Sequence, residues 1–222
     1  MSPPILQTMS SQNPPTHTAA GGLDELIRIA QAQPLAPACD HFYFLRHGQT
    51  GRNAQRVFQA PDEPLSELGL QQAARAAELL AGEPIRTIVC SDARRAFDTA
   101  HTVAASLRLT PTAHETLRER NFGALIGTSS ANIDWACEPE GGETLAQFVT
   151  RKRAALDAAL QQPGPVLVVA HGGTLYVLAA LLGVPVDFQL MGNAQPLRFE
   201  RTGPTWGVTP LLRHADGEAS LA

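Results

Sequence analysis

VLVVAHGGTLYVLAALLGVPV, residues 166–186, decides between two architectures. It is apolar over a length that could cross a bilayer, for which about 20 consecutive apolar residues suffice. His171-Gly172-Gly173 splits it instead into a strand-length piece and a helix-length piece. PVLVVA (165–170) has no alternation of polar and apolar residues, the pattern of a strand buried on both faces inside a parallel sheet. The stretch therefore reads as buried strand, tight loop and buried helix, and no membrane span is expected.

Working outward, the same alternation recurs. TLAQFVTRKRAALDAALQQ (144–162) is an amphipathic helix through Leu145, Phe148, Lys152, Leu156 and Leu160. Lys152 is the only lysine of the chain, and its stem can lie over apolar surface. PIRTIVC (84–90) is a strand leading into a helix in SDARRAFDTAHTVAASL, and LTPTAHE is a short strand candidate. A first strand spans 41–46. A helix starts near Ser66, with Leu70, Ala73, Ala77 and Leu80 at helical spacing and Gly82 as its stop. Residues 121–142 are loop-like, and LRFERTGPTWGVTPL (197–211) gives two strands around Gly203-Pro204. Strands alternating with helices predict an α/β fold of three α/β/α layers around a mostly parallel open sheet.

At 222 residues one sizeable domain is the default. Residues 1–22, rich in Pro, Ser, Thr and Gln, read as a disordered tail. Residues 23–38 are a short amphipathic helix (LDELIRIAQAQ, 23–33) and a linker, with the helix docked on the domain's own surface. The domain itself spans 39–213, and 214–222 form a flexible end. A net charge of −4 argues against a general nucleic-acid or anionic-membrane binder. The three cysteines, Cys39, Cys90 and Cys137, are widely spaced and suggest neither a disulfide framework nor a thiolate metal site. With no basic residue before Arg28 and no apolar h-region, the expected location is cytoplasmic. Oligomeric state is silent.

FYFLRHG (42–48), TIVCSDARR and VLVVAHGG each carry an apolar strand to unusual polar residues at its C-terminal end. In open parallel sheets such ends lie along one edge, where ligands bind. Arg46, His47, Arg94 or Arg95, and His171 should therefore share one cleft. Two imidazoles and two guanidiniums without a carboxylate make a poor metal site and a good dianion cradle. Guanidinium forks bind phosphoryl oxygens bidentately, and Gly172-Gly173 before a helix offers backbone N–H groups to an anion. Histidine can form a covalent intermediate. A carboxylic acid near the mouth would protonate the leaving oxygen; Glu119, after a short strand and before a loop, is the candidate.

These residues resemble the histidine phosphatase superfamily, with its phosphoglycerate mutase-like fold. The resemblance runs through FLRHGQTGRN (44–53), PLSELGLQQA (64–73), SDARRAFDTA (91–100), LRERNFGALIG (117–127), GGETL (141–145) and VVAHGGTL (168–175), in the family's order over roughly residues 40–200. It implies that His47 is the nucleophile that becomes phosphohistidine. It also implies that Arg46 and Arg95 hold the phosphoryl oxygens, that His171 bonds the transferring group, and that Glu119 is the proton donor. By the same resemblance Asn53 lines the pocket, Gln49 and Thr50 shape its loop, and Glu143 stands beside the pocket; Gly172, through its backbone N–H, and Arg52 complete the candidate substrate contacts, with a cap or a solvated charge as the other reading of Glu143 and Arg52. No metal or organic cofactor is implied, and the partner is a small phosphorylated substrate.

The chain departs from the family pattern at Ala60, at Asp92-Ala93, and in the short stretch between Gly127 and Gly141. A short lid should admit water, which favours hydrolysis of a phosphomonoester over mutase-type transfer. Two further alternatives are a non-catalytic phosphate-binding module and a metallohydrolase using the histidines as ligands. The first should lack a catalytic member; the second needs carboxylates beside the imidazoles.

Overall fold

Strand β4 (Val166–Ala170) runs through the middle of a six-stranded sheet, parallel to β1 (His41–Arg46) on one side and to β2 (Thr87–Ser91) on the other. The structure, a computed structural model of the chain, describes residues 21–211. All five β4 residues are buried. Val166, Val168 and Ala170 join one apolar layer, and Leu167 and Val169 join the other. Both faces of the strand are covered, so the sequence could not alternate.

The sheet order is β3-β2-β4-β1-β5-β6, where β3 is Thr112–His114, β5 is Pro196–Thr202 and β6 is Thr205–Pro210. The first four strands are parallel, and β5 and β6 add an antiparallel hairpin beside β1. One face is covered by α3 (Glu67–Leu80) and α4 (Arg94–Leu107), the other by α1 (Leu23–Gln31), α5 (Leu145–Leu160) and α6 (Gly172–Leu182). The fold is three α/β/α layers, as the strand and helix patterns predict.

After β1 the chain departs, through the short α2 (Gly51–Ala54), for the α3 face; after β4 it enters α6 on the opposite face. Because β1 and β4 are neighbours, a crevice opens between their carboxyl ends. Helix starts are fixed by side chains: Ser66 Oγ accepts the Gly69 N–H (3.1 Å), and Thr144 exchanges a capping box with Gln147. Helix α1 docks on α5 and α6, with Leu26 and Ala30 fully buried.

Two boundaries differ from the sequence expectation. β2 begins at Thr87 and not at Pro84, because Pro84 has no N–H to give and the chain there turns, with Ile85 N–H bonded to Glu83 O (2.8 Å). α6 takes in both Gly172 and Gly173, so the pair forms the first helical turn and not a loop ahead of it. The proposed tails, 1–22 and 214–222, lie outside the described residues except for Gly21 and Gly22. Gly21 O accepts the Trp135 N–H (2.6 Å), so these two glycines are seated against the loop before α5.

Candidate active site

His47 stands one residue beyond β1, and its backbone N–H continues the ladder to Ala170 O (3.0 Å). Its ring is buried, with Nδ1 2.7 Å from Gly48 O. A carbonyl can only accept, so Nδ1 carries the hydrogen and Nε2 holds the lone pair. Arg95 Nε–H points at that lone pair from 3.3 Å. Burial first, then the charges of Arg95 and Arg46, hold the imidazole well below its usual range, so the ring is neutral near pH 7. Gly48 is required by close approach: a Cβ there would lie 2.5 Å from the Gly69 carbonyl at the start of α3.

His171 caps α6 one residue beyond β4, its ring centroid 5.2 Å from that of His47. Its Nε2 lies 2.9 Å from Ser91 Oγ. That hydroxyl accepts the Ala93 N–H (3.2 Å) and can give its own proton to Nε2, the arrangement that puts the hydrogen of His171 on Nδ1. Nδ1 is buried without a partner, and so is Arg46 Nε. Both belong to residues on the wall of one cavity. Two buried donors lacking an acceptor are costly, and an oxyanion in that cavity would satisfy both.

The guanidiniums are anchored from behind. Arg46 Nη1 donates to Met191 O (2.5 Å) and Arg95 Nη1 to Ala60 O (2.9 Å). Burial pulls Arg95 down to about 10, which still leaves it charged at neutral pH. Arg94, its neighbour in sequence, faces outward toward Asp98 (3.6 Å).

Glu119 Oε2 accepts the Gly173 N–H (2.8 Å) and Oε1 accepts the Arg120 N–H (3.0 Å). The carboxylate therefore rests on the first turn of α6, a favourable place for negative charge. A Cβ on Gly173 would meet Glu119 Oε1 at 2.4 Å and Trp135 Cη2 at 2.7 Å. The segment carrying Glu119 is held by its carbonyls: Arg151 donates to Thr116 O (2.7 Å), Arg118 O (3.0 Å) and Glu119 O (3.3 Å), and Lys152 to Thr116 O and Arg118 O. Arg118 forms a bidentate pair with Asp92 (2.7 and 2.6 Å), tying this segment to the end of β2.

The cavity has a volume of ≈ 280 Å³ and brings together Arg46, His47, Asn53, Arg95, Glu119, His171 and Gly172. Four other expected substrate contacts do not line it. Thr50 is buried and spends its hydroxyl on the cap of α2, accepting the Asn53 N–H (3.0 Å). Gln49 binds the start of α3 through its backbone, with its N–H on Gln72 Oε1 (2.8 Å) and its carbonyl on the Ser66 N–H (2.9 Å). Arg52 points away, toward Glu63 (3.3 Å). Glu143 is engaged by Arg151 through both oxygens (2.6 Å each) and accepts the Asn121 N–H (2.9 Å). These four support loops around the cavity.

Sequence reasoning gave no role to Ser91, Arg56, Tyr176 or Met191, although Ser91 at the end of a strand beside the cleft was a signal available to it. Trp135 both lines the cavity and packs, buried, near Phe122, Phe148 and Tyr176. Among the described residues no group of three or more His, Cys, Asp or Glu could hold a metal ion, and no helix is long and apolar enough to cross a membrane.

A neutral imidazole whose Nε2 lone pair meets only a guanidinium N–H, a second imidazole and two buried guanidiniums gather at the carboxyl edge of a parallel sheet, an arrangement that can hold a phosphoryl group. The chain belongs to the histidine phosphatase superfamily: residues 42–209 match the model of its branch 1. It is 38% identical over 169 residues to a glucosyl-3-phosphoglycerate phosphatase of Mycobacterium tuberculosis, covering 64% of this chain and 75% of that protein. It is 34% identical over 192 residues to an agropine synthesis reductase of Rhizobium rhizogenes; the match covers 81% of this chain but only 44% of that longer protein. Among solved structures, a mycobacterial glucosyl-3-phosphoglycerate phosphatase in complex with VO3 superposes with a TM-score of 0.64 at 32% identity, over 78% of this chain and 98% of that one.

Proposed function

We propose that this chain hydrolyses a small phosphorylated metabolite in two steps, through a phosphohistidine on His47. The observation that carries the reading is the fixed tautomer of His47. Nδ1 is committed to Gly48 O, and the Nε2 lone pair is turned to the Arg95 guanidinium. In the first step Nε2 attacks phosphorus, the bond from phosphorus to the leaving oxygen breaks, and Glu119 in its acid form gives that oxygen a proton. Arg46, Arg95 and His171 Nδ1–H hold the three remaining oxygens, whose charge is stabilised in a buried site that needs no reorganisation. In the second step a water attacks phosphorus, its proton passes to Glu119, and the bond from Nε2 to phosphorus breaks. Each step uses side chains already on the cavity wall. The free thiols Cys39, Cys90 and Cys137 support a reducing, cytoplasmic setting.

The test is to quench turnover of a ³²P-labelled phosphomonoester in base, which preserves phosphohistidine. Label should be found on His47 in the wild type and on no residue in His47→Ala, which should also lose hydrolysis. Label on another residue, or turnover in His47→Ala, overturns the reading. Release of the label as inorganic phosphate supports hydrolysis; passage to an added phosphoglycerate acceptor in preference to water would make the chain a mutase-type phosphotransferase instead.

A further inference from the structure

The cation Arg56 is unexplained by the phosphoryl site. Four arginines line the cavity: Arg46, Arg56, Arg95 and Arg120. Arg46 and Arg95 belong to the cradle. Arg120 is spent on protein carbonyls, donating to Trp135 O (2.5 Å), Cys137 O (2.5 Å) and Glu143 O (2.8 and 3.1 Å). Among the described residues Arg56 makes one side-chain hydrogen bond, Nη2 to Ala131 O (2.5 Å). Among the described residues it pairs with no carboxylate. Its side chain is exposed at the rim.

The backbone at Arg56 is also unusual, with φ at 54°, in the left-handed region that a glycine would occupy without strain. Strained positions persist where the surroundings over-determine them, and they gather at ligand sites. Here the surroundings are a small ribbon across the cavity mouth. Arg56 O accepts the Ser130 N–H (2.6 Å), Phe58 N–H donates to Thr128 O (3.0 Å) and Phe58 O accepts the Gly127 N–H (2.9 Å), around an antiparallel bridge of Val57 with Ser129. The ribbon fixes Arg56 at the rim. The rest of the lining mixes apolar and aromatic side chains, Phe58, Phe122, Ile133, Trp135 and Tyr176, with the polar Asn53, Gln59 and Ser130.

We infer that Arg56 is a specificity-determining residue that binds a second anionic group on the leaving-group side of the substrate. The preferred substrate is then a phosphomonoester whose alcohol portion carries a carboxylate or a further phosphate. The guanidinium fork serves either group bidentately. This rests on the phosphatase reading above and adds the substrate class.

The experiment measures kcat/KM for two matched pairs, 3-phosphoglycerate against glycerol 3-phosphate and fructose 1,6-bisphosphate against fructose 6-phosphate, with p-nitrophenyl phosphate as reference. Wild type should prefer the member with the second anionic group in at least one pair; which pair separates carboxylate from phosphate. Arg56→Gly, chosen because glycine suits the backbone there, should reduce that preference about tenfold or more, as losing a charge-assisted bidentate contact does. Arg56→Glu should reduce it further, and in both variants kcat/KM should fall more on the anionic-tailed member than on p-nitrophenyl phosphate. Equal activity on both members of each pair in wild type, or an undiminished preference in Arg56→Gly, overturns the inference. If His47-dependent turnover of p-nitrophenyl phosphate persists in that case, the phosphatase reading stands without it; no turnover of any substrate by wild type ends both.

Discussion

Arg95 Nε lies 3.3 Å from His47 Nε2, so the guanidinium that would hold the phosphoryl group also keeps the nucleophile unprotonated. A cation at that distance disfavours a second one on the ring, and burial acts in the same direction. The site is thereby set for a dianion in two ways: the ring stays unprotonated, and the positive charge is on the neighbouring guanidinium.

Arg95→Ala should separate these effects. Loss of one transition-state donor lowers kcat/KM by roughly 10²–10³-fold. Removing the neighbouring charge and letting water in both raise the His47 pKa from its depressed value. The acid limb of the kcat/KM profile on p-nitrophenyl phosphate should therefore move to higher pH, and the His47 resonance in an NMR titration should move with it. An acid limb in the same place would mean that Arg95 does not tune the ring.

Glu119→Gln keeps a carbonyl oxygen for the Gly173 N–H and removes the proton that the leaving group needs. Turnover of alkyl phosphates should fall by roughly 10²–10⁴-fold. Turnover of p-nitrophenyl phosphate, whose leaving group needs little protonation, should fall much less in a single-turnover burst. Equal loss on both substrates would take the proton transfer away from Glu119.

Gly173→Ala tests the same carboxylate from the other side. The new Cβ would sit 2.4 Å from Glu119 Oε1 and 2.7 Å from Trp135 Cη2, so one must move. Destabilisation of roughly 1–3 kcal/mol is expected from overpacking, and the substrate pattern should resemble that of Glu119→Gln. Gly172→Ala meets only the end of the flexible Met191 side chain at 3.3 Å and Arg46 Nε at 3.6 Å, so it should cost less stability. Calorimetry with both variants checks the order.

The parts of this site that the sequence revealed are those where local pattern and position coincide. Apolar strands that run directly into Arg46-His47, Ser91 and His171 can end only at one edge of a parallel sheet, and the edge gathers them. What stayed hidden depends on direction. Thr50 and Gln49 stand in the first histidine motif, but one turns its hydroxyl into the cap of α2 and the other uses its backbone to hold α3. Glu143 sits near the acid segment, yet Arg151, one helical face away, takes both of its oxygens. Arg56 and Met191 reach the cavity through loop geometry and leave no period to read. Lys152, by contrast, was legible as a helix-face residue, though not how completely it is buried.

Lys152 is fully buried, and burial, with Arg151 beside it, lowers its pKa well below 10.5. The unfolded chain would hold that proton up to about 10.4, so between the folded pKa and that value the unfolded state binds more protons and stability rises with pH. Below the folded pKa both states are protonated and this slope vanishes. Lys152→Met keeps the stem's packing and deletes the ionisable group. The two carbonyls it serves, Thr116 O and Arg118 O, retain Arg151 Nη1 as a donor at 2.7 and 3.0 Å, so neither is orphaned. Replacing a buried charge by an apolar side chain of similar volume is often neutral or stabilising by about 1–4 kcal/mol, and Lys152→Met at pH 7 should be at least as stable as wild type to within about 1 kcal/mol. Urea unfolding of both proteins from pH 7 to pH 10 should show wild type gaining on the variant as pH rises. A loss above about 3 kcal/mol at pH 7 would mean that the ammonium holds the Glu119 segment in a way Arg151 cannot replace.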